Sequence, residues 1–382
     1  MKSPEPKTVL LVDDAPSNLQ AANSILKDDY KVRIATSGAK ALELTSAKPA
    51  PDLILLDVVM PEMYGYEVCA TLKSNPETRD IPVIFLTGQT EESDETRGFE
   101  VGAVDYIHKP FSPAVVKARV RTHLMLREAR EQLARQLATI NNELEMARQI
   151  QLSILPSGAP RIAGLEIVPR YVPMSAVAGD FYDFIAVDET HLGVLIADVS
   201  GHGLPAALIA SMLQVALAAQ VSHAADPGRV LSGLNQSLCG KFQTNFVTAA
   251  YLFVDAEKRI IHYAGAGHPP MLFWSRSAAA VREVCENGLV LGQFPETTYD
   301  SVVFQAGLGD SCLLYTDGVV EARNPSSEQF GTARLRAFLE SNASLPGGPL
   351  ADKLLDALWQ WSELGMGQSQ SDDITLLALR FT

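Results

Sequence analysis

From Thr8 to about Leu124, short apolar segments alternate with segments in which apolar residues have helical spacing. The apolar segments TVLLVDD, KVRIA, DLILLD, PVIFLT and VDYI are rich in β-branched and aliphatic residues, which predicts strands buried on both faces. Helices are predicted between them at Asn18–Lys27, Gly38–Ala47, Glu67–Ser74 and Glu92–Val101. Repeated βα units of this kind predict an α/β domain with a doubly wound, parallel, five-stranded sheet.

The next segment has the heptad spacing of a coiled coil. Residues Val115–Leu155 contain no glycine or proline. Apolar residues recur at the seam positions Leu126, Leu133, Leu137, Ile140, Leu144, Ala147 and Ile154. Arg130 and Gln151 also fall on the seam, where we expect them to weaken the pairing or set its register. The spacing predicts a helical linker that pairs two copies of the chain, or else a helix that packs only on its own domains.

After Pro156 the pattern changes to strand-like segments with helical stretches between them. Strands are predicted at LEIVPRYVP, DFYDFIAV, HLGVLIADVS, FVTAAYLFVD, RIIHYAGAG, DSCLLYTDG and DITLLALRF. Helices are predicted at Pro205–Val221, Gly228–Phe242, Ala333–Glu340 and Leu350–Leu364. This order predicts an α+β domain in which antiparallel sheets are sandwiched by helices. The predicted organisation is therefore an α/β domain at 1–120, a coiled-coil linker at 121–157 and an α+β domain at 158–382.

Composition narrows the class of protein. A chain of 382 residues is longer than a single hydrophobic core usually accommodates, so more than one domain is expected. A content of 47% hydrophobic and 20% charged residues is typical of globular proteins. The formal net charge of −14 disfavours binding to nucleic acid. The four cysteines are scattered, which favours free thiols in a reducing compartment. No signal-peptide pattern and no apolar run of about 18 residues is present, so we expect a cytoplasmic protein without a membrane span.

Three carboxylates and a lysine fall at the carboxyl ends of the predicted parallel strands, where ligands bind in such sheets. Asp13 and Asp14 close the first strand, Asp57 closes the third, Thr87 closes the fourth and Lys109 follows the fifth. Converging carboxylates repel one another, and a hard cation such as Mg²⁺ removes that penalty. A cation, an ammonium and a hydroxyl around one carboxylate can stabilise a phosphoryl group transferred to it.

A second set of acidic residues lies at strand ends in the last two hundred residues. Its members are Asp180, Asp198, Asp317 and Asp372. No cluster of histidines and cysteines accompanies them, which predicts an oxygen-only site suited to Mg²⁺ or Mn²⁺. Several carboxylates without a basic partner are what a two-metal centre for displacement at phosphorus requires.

The N-terminal motifs resemble those of two-component receiver domains. They are Asp13-Asp14, Asp57 followed by VVMPEMYGYE, Thr87-Gly88 and DYIHKP, over about the first 120 residues. The resemblance implies that a histidine kinase phosphorylates Asp57, that Lys109 contacts the phosphoryl group, and that Thr87 and Tyr106 form a switch pair. It implies a Mg²⁺ site formed by Asp13, Asp14, Asp57 and the Val59 carbonyl. Tyr64 stands where this family often has aspartate, outside the chemistry.

The C-terminal motifs resemble PPM-type (type 2C) serine/threonine phosphatases of the bacterial branch that serves sporulation and stress partner switching. They are ARQIQLSILP, GDFYDF, DVSGHG, AGAGHPP, YTDGVVEARN and DDITLL. The resemblance implies two Mn²⁺ or Mg²⁺ ions held by Asp180, Asp198, the Val199 carbonyl, Asp317 and Asp372. It gives Asp183 and Asp373 outer or structural roles. Ala178 replaces the first of two glycines that usually precede Asp180.

The resemblances imply a signalling enzyme. Phosphorylation of Asp57 would control removal of phosphate from a phosphoserine or phosphothreonine of a partner, which by resemblance is an anti-anti-sigma (STAS-domain) protein. The direction of control stays open. A phosphorylation-controlled adaptor without hydrolysis is the alternative, and the four carboxylates count against it. A DNA-binding response regulator is disfavoured because no basic helix-turn-helix pattern follows the linker.

Overall fold

The computed structural model describes residues 6–88, 98–242, 244–363, 370 and 372–382. The chain divides into two compact units, Met1–Thr139 and Ile140–Thr382. Most of the helix predicted at Glu92–Val101 lies outside the described residues, as does the last residue of the helix predicted at Leu350–Leu364.

The first unit contains a five-stranded sheet in which every neighbouring pair is parallel. Its strands are β1 (Thr8–Val12), β2 (Lys31–Ala35), β3 (Leu53–Asp57), β4 (Val83–Thr87) and β5 (Asp105–His108), in the order β2-β1-β3-β4-β5. The order reverses beside β1, so the carboxyl ends of β1 and β3 are neighbours and form the crevice of a doubly wound sheet. The predicted fold class of this unit is confirmed.

Helices cover both faces of this sheet. They are α1 (Pro16–Leu26), α2 (Gly38–Ser46), α3 (Gly65–Ser74) and the start of the long helix α4 (Pro113–Ile154). Alternate residues of β1 point to opposite faces, so Val9 packs in the core under α1 and α4, and Leu10 packs in the core under α2 and α3. Burial of both faces explains why the inner strands β1, β3 and β4 are almost continuously apolar, whereas the edge strands β2 and β5 are partly exposed.

The second unit is built on two sheets of mostly antiparallel strands. The strands of this unit are β6 (Leu165–Val172), β7 (Phe181–Ala186), β8 (His191–Val199), β9 (Val247–Asp255), β10 (Ile260–Ala266), β11 (Met271–Ser275), β12 (Ala280–Val284), β13 (Asn287–Gly288), β14 (Val302–Gln305), β15 (Ser311–Tyr315) and β16 (Ile374–Phe381). The first sheet has the order β13-β10-β9-β8-β7, with β14 also paired to β10, and the second has the order β12-β11-β15-β16-β6. Pro169 is tolerated in β6 because β6 is an edge strand.

Helices flank the two sheets on their outer faces. They are α5 (Leu204–Ala218), α6 (Pro227–Leu238), α7 (Gly318–Glu321), α8 (Gly331–Asn342) and α9 (Gly347–Ser362), with a 3₁₀ turn at Val221–His223. One apolar cluster lies between the sheets, a second joins the first sheet to α5 and α6, and a third joins the second sheet to α8 and α9. The predicted sandwich of antiparallel sheets and helices is confirmed.

Four short strands were not predicted from the sequence: β11, β12, β13 and β14. The edge strand β12 is largely exposed, the four residues of β14 are never fully buried, and β13 has only two residues. Little of the surface of β12 and β14 is removed from water, so their sequence patterns are weak. The apolar and mostly buried strand β11 was overlooked. Among the described residues, no helix is both long and apolar enough to cross a membrane.

The long helix α4 exposes much of its heptad seam. The side chains of Leu126, Leu133, Leu137 and Ile140 are each half-exposed or more. Gln151 differs, because it is only 6% exposed. The seam interpretation of Gln151 was therefore wrong: this residue packs into the second unit and is not available to a paired helix.

Candidate functional sites

The first candidate site lies at the carboxyl ends of β1, β3 and β5. The Lys109 Nζ lies 2.7 Å from Asp13 Oδ2 and 2.9 Å from Asp57 Oδ2, so one ammonium contacts both carboxylates. Oxygens of Asp13, Asp14 and Asp57 all lie within 4.8 Å of one another. The structure thus brings together four of the predicted receiver residues. Three carboxylates against one lysine leave an excess of negative charge, which fits a divalent cation with oxygen ligands.

Burial raises the pKa of Asp57, while its hydrogen bond to Lys109 lowers it and the nearby Asp13 raises it further. The Val59 N–H also donates to Asp57, which places the Val59 backbone beside the cluster. Neighbouring groups hold the Asp13 carboxylate: Asn18 Nδ2 donates to it at 3.0 Å and the Ala15 N–H donates at 2.9 Å. These contacts orient Asp13 through local backbone and side-chain donors.

The backbone around Asp57 requires a glycine at position 65. A Cβ on Gly65 would lie 2.1 Å from the Asp57 carbonyl oxygen, and the Gly65 N–H donates to the Val58 carbonyl at 2.9 Å. The start of α3 therefore packs directly against the end of β3.

The predicted switch residues lie on the two strands beyond Asp57. Thr87 ends β4 and is buried, and its carbonyl accepts a hydrogen bond from the Lys109 N–H at 2.8 Å. Tyr106 lies in β5, where its ring contacts Phe99 and His108 edge-on and the Arg119 guanidinium lies 5.4 Å from its centroid. Their predicted roles stay predictions.

The second candidate site lies where paired strands of both sheets end. Asp180 precedes β7 and Asp198 lies near the end of β8, and these strands pair with Phe181 opposite Ala197. Asp317 follows β15 and Asp372 precedes β16, and these strands also pair. Residues more than a hundred positions apart in the sequence therefore reach the same end of the sandwich.

These carboxylates affect one another's ionisation. Burial and then the neighbouring Asp317 and Asp372 raise the pKa of Asp198 to about 7. Burial and then Asp372 raise the pKa of Asp317 to about 6. Burial and then Asp198 raise the pKa of Asp180 well above its usual range, although two hydrogen bonds lower it. The mutual repulsion shows that the four predicted residues form one electrostatic cluster.

Divalent cations fit this cluster by its donor chemistry. Across the described part of the chain, no lysine or arginine forms an ion pair with Asp180, Asp198, Asp317 or Asp372. Carboxylate oxygens are the ligands that Mg²⁺ and Mn²⁺ prefer.

A buried hydrogen-bond network holds Asp180. Its Oδ2 accepts from the Thr316 hydroxyl at 2.8 Å and from the Thr375 hydroxyl at 2.6 Å, so the second sheet holds a carboxylate of the first. Asp373 supports the same loop by accepting from the N–H groups of Met174 and Gly179, each at 2.7 Å. These contacts agree with the structural role expected for Asp373.

Two close backbone approaches shape this site. A Cβ on Gly179 would lie 2.9 Å from the Val199 carbonyl oxygen, which is one of the predicted metal ligands. A Cβ on Gly318 would lie 2.0 Å from the Asp373 carbonyl oxygen. Glycine at both positions lets the loops that carry the carboxylates pack against each other.

The histidine of AGAGHPP has a structural position. His268 is buried, its Nδ1 lies 3.1 Å from Thr248 Oγ1, and its backbone exchanges two hydrogen bonds with the Asn287 amide. Burial lowers the pKa of His268 to about 3, so the ring is neutral. These contacts join the turn after β10 to β9 and β13.

Comparison with known proteins adds independent information. Residues 188–382, more than half of the chain, match the family described as Stage II sporulation protein E (SpoIIE). The chain belongs to the SpoIIE family. Residues 9–121 match the response regulator receiver domain. A SpoIIE-family domain thus follows a receiver domain in one chain, and Asp180 lies ahead of the matched SpoIIE range.

Several relatives share parts of this arrangement. The chain is 28% identical to the phosphoserine phosphatase RsbU of Bacillus subtilis over 63% of this chain and 70% of that protein. It is 30% identical to the phosphoserine phosphatase RsbP of the same organism over 60% of this chain and 56% of that protein. A probable cyclic di-GMP phosphodiesterase of Vibrio cholerae is 47% identical over 36% of this chain. The chain spans only 31% of that phosphodiesterase's length.

A solved structure supports the fold of the SpoIIE-family part. The SiaA-PP2C domain of Pseudomonas aeruginosa superposes with a TM-score of 0.57 and 23% identity, over 65% of this chain and 99% of that domain. At this identity the likeness concerns the fold alone.

Sequence reasoning missed the residues that support the SpoIIE-family site. Thr316 and Thr375 were not singled out, although both hydroxyls bond to Asp180. Their only signal was their position inside two motifs, since Thr316 directly precedes Asp317 in YTDGVVEARN and Thr375 is the fourth residue of DDITLL. Gln151 was assigned to the seam, yet its amide contacts the loop that leads to Asp180.

Proposed function

We propose that the chain is a response regulator in which phosphorylation of Asp57 by a histidine kinase controls a divalent-metal-dependent serine/threonine phosphatase. The observation that carries the proposal is the electrostatic cluster of four carboxylates, from paired strands of two sheets, with which no lysine or arginine of the described residues forms an ion pair. It occurs in a SpoIIE-family chain that also has a receiver domain. We propose that the receiver domain spans 1–120, the coiled-coil linker 121–157 and the phosphatase domain 158–382.

In the receiver, Lys109 and the surrounding backbone prepare Asp57 for phosphorylation. The ammonium already contacts Asp57 at 2.9 Å and can follow a phosphoryl group attached there. Asp13, Asp14, Asp57 and the Val59 carbonyl would hold Mg²⁺, which supplies positive charge for the transferring phosphoryl group. Thr87 and Tyr106 would then report the modified state to the rest of the receiver.

In the phosphatase, the fold supplies a preorganised acidic site. Thr316 and Thr375 fix one oxygen of the buried Asp180, while Asp198, Asp317 and Asp372 are half-buried. Asp180, Asp198, the Val199 carbonyl, Asp317 and Asp372 would hold two Mn²⁺ or Mg²⁺ ions. Such a pair supplies the Lewis-acid charge that makes a water nucleophilic at neutral pH and stabilises displacement at phosphorus.

The substrate class follows from the relatives. RsbU and RsbP are phosphoserine phosphatases, so we propose a phosphoserine or phosphothreonine protein as substrate. The resemblance to the partner-switching branch makes an anti-anti-sigma protein of the STAS class the specific proposal. Its dephosphorylation would let it capture an anti-sigma factor.

We also propose that α4 pairs two copies of the chain. Leu133 and Leu137 are 56% and 52% exposed, and their spacing puts them on one helix face. A second helix that covers exposed leucines in heptad register removes their apolar surface from water, which stabilises the pairing.

Replacing both leucines by lysine is expected to convert a dimer into a monomer of 41.3 kDa, as measured by light scattering after gel filtration. The control is Met146→Lys, which changes an exposed apolar residue of the same helix away from the seam. A monomeric wild-type protein, with and without a phosphoryl mimic, would remove the pairing proposal.

The main test is phosphate release from a phosphoserine peptide in Mn²⁺, with and without beryllofluoride as the phosphoryl mimic. We expect metal-dependent release whose rate changes at least about threefold with the mimic, because the mimic should favour one receiver state. The variant Asp57→Asn should release phosphate at one rate under both conditions. An unchanged wild-type rate would disprove receiver control. Absence of release from peptide and aryl phosphates would favour the adaptor.

A further inference from the structure

The last turns of α4 carry a buried amide that no catalytic role explains. Gln151 Nε2 donates to the Ala178 carbonyl at 2.6 Å, and Gln151 Oε1 accepts from the Ala178 N–H at 3.0 Å. One side chain therefore satisfies both backbone groups of a single buried residue. All these atoms belong to the unit Ile140–Thr382.

Ala178 lies two residues before Asp180, and hydrogen bonds hold each of the three residues from Ala178 to Asp180. Gln151 binds the backbone of Ala178, Asp373 accepts the Gly179 N–H at 2.7 Å, and two threonine hydroxyls bind Asp180. The Asp373 and threonine contacts come from the strand framework. The Gln151 contact comes from α4, so the position of this segment depends on the end of that helix.

Only glutamine satisfies Ala178 in this geometry. A glutamate could accept from the N–H but would face the Ala178 carbonyl with a second acceptor, and a methionine would leave both backbone groups without a partner. Unpaired buried backbone groups are costly, so loss of the amide should move or loosen the segment. The same helix end is anchored separately, since Gln214 Nε2 donates to the Ile154 carbonyl at 3.2 Å and Leu155 packs on the core.

We propose that Gln151 is a positioning residue for the metal site: its amide aligns Ala178 to Asp180, so that loss of the amide weakens metal binding. The inference rests on the proposed phosphatase function and names a residue that holds one of its metal-binding segments in place. Ala178, in place of the usual glycine, has fewer backbone conformations available, which suits a segment held in one position.

The test compares Gln151→Met with the wild-type full chain and with Gln149→Met. Gln149 lies on the same helix but is exposed, and within the described parts of the chain its amide bonds only to the Glu145 carboxylate at 2.8 Å. Calorimetric titration of the metal-free proteins with Mn²⁺ should show binding about tenfold weaker in Gln151→Met and unchanged in Gln149→Met. Amide exchange of a peptide spanning 174–181 should be faster in Gln151→Met before any metal is added.

A further comparison separates loop positioning from docking of the helix. Gln214→Met removes a bond to the same helix end without touching Ala178, so we expect a lower melting temperature and unchanged Mn²⁺ affinity. In Gln151→Met, excess Mn²⁺ should restore most of the phosphate release. If Gln151→Met does not fold, Gln151→Glu, which retains the size and one acceptor, should show the same weaker binding.

The possible outcomes separate the positioning role of Gln151 from the proposed phosphatase function. Equal Mn²⁺ affinity and equal amide exchange in wild type and Gln151→Met would overturn the positioning role and leave the phosphatase proposal intact. Equally weakened affinity in Gln214→Met would also overturn it, because general helix docking would then explain the effect. A wild-type protein that binds no Mn²⁺ would overturn both.

Discussion

Asp198→Asn is expected to lower phosphate release by about a thousandfold or more while the protein stays folded. A metal centre contributes several kcal/mol of charge stabilisation, and each 1.36 kcal/mol is a tenfold change in rate. Asparagine retains the size of Asp198 but cannot carry its negative charge. Burial and the neighbouring carboxylates raise the pKa of Asp198 to about 7. The measurement is phosphate release at saturating Mn²⁺, with circular dichroism to confirm folding.

The matched control for this prediction is Asp183→Asn. Asp183 lies only three residues beyond Asp180, but its Oδ1 accepts from the Phe184 N–H at 2.7 Å and burial alone raises its pKa. We expect turnover within a few-fold of the wild type. Undiminished turnover in Asp198→Asn would refute the assignment of the metal site, and equal losses in both variants would point to a general effect of removing acidic charge.

Much of the architecture could be predicted because it depends on local patterns. The inner strands of the receiver sheet are buried on both faces, so they are apolar runs. The parallel topology then brings Asp13, Asp57 and Lys109 to one edge of that sheet. The acidic residues of the second site were also recognisable, because each ends or begins an apolar strand. Their assignment to particular ions stays a prediction.

The contacts that position these groups could not be predicted. The bond from Thr375 to Asp180 joins residues 195 positions apart and crosses from one sheet to the other. The heptad pattern placed Gln151 among the pairing positions, because periodicity gives the face of a helix but not the surface that the face meets. The clearance around Gly318 depends on the backbone of Asp373, which lies 55 residues later, just before β16, and no local pattern predicts it.

Gly318→Ala is expected to disrupt the second site without removing a single carboxylate. The added methyl would lie 2.0 Å from the Asp373 carbonyl oxygen and 3.4 Å from the Asp372 Cβ. The obstacle is backbone, so one of the two loops must move. Overpacking of this kind costs about 1–3 kcal/mol of folding stability, and a shift of Asp317 or Asp372 should weaken Mn²⁺ binding about tenfold or more. Thermal unfolding and Mn²⁺ titration measure the two effects.

Gly348→Ala provides the comparison, because a Cβ at Gly348 meets nothing within 4 Å. This residue lies in the first turn of α9, where alanine should leave stability unchanged or raise it by up to about 1 kcal/mol. If Gly318→Ala retained the wild-type melting temperature and Mn²⁺ affinity, the loops bearing Asp317 and Asp372 would not be in the contact described. If it lost stability but kept affinity, the carboxylates would move together as one body, and the contact of Gly318 with Asp373 would serve the fold alone.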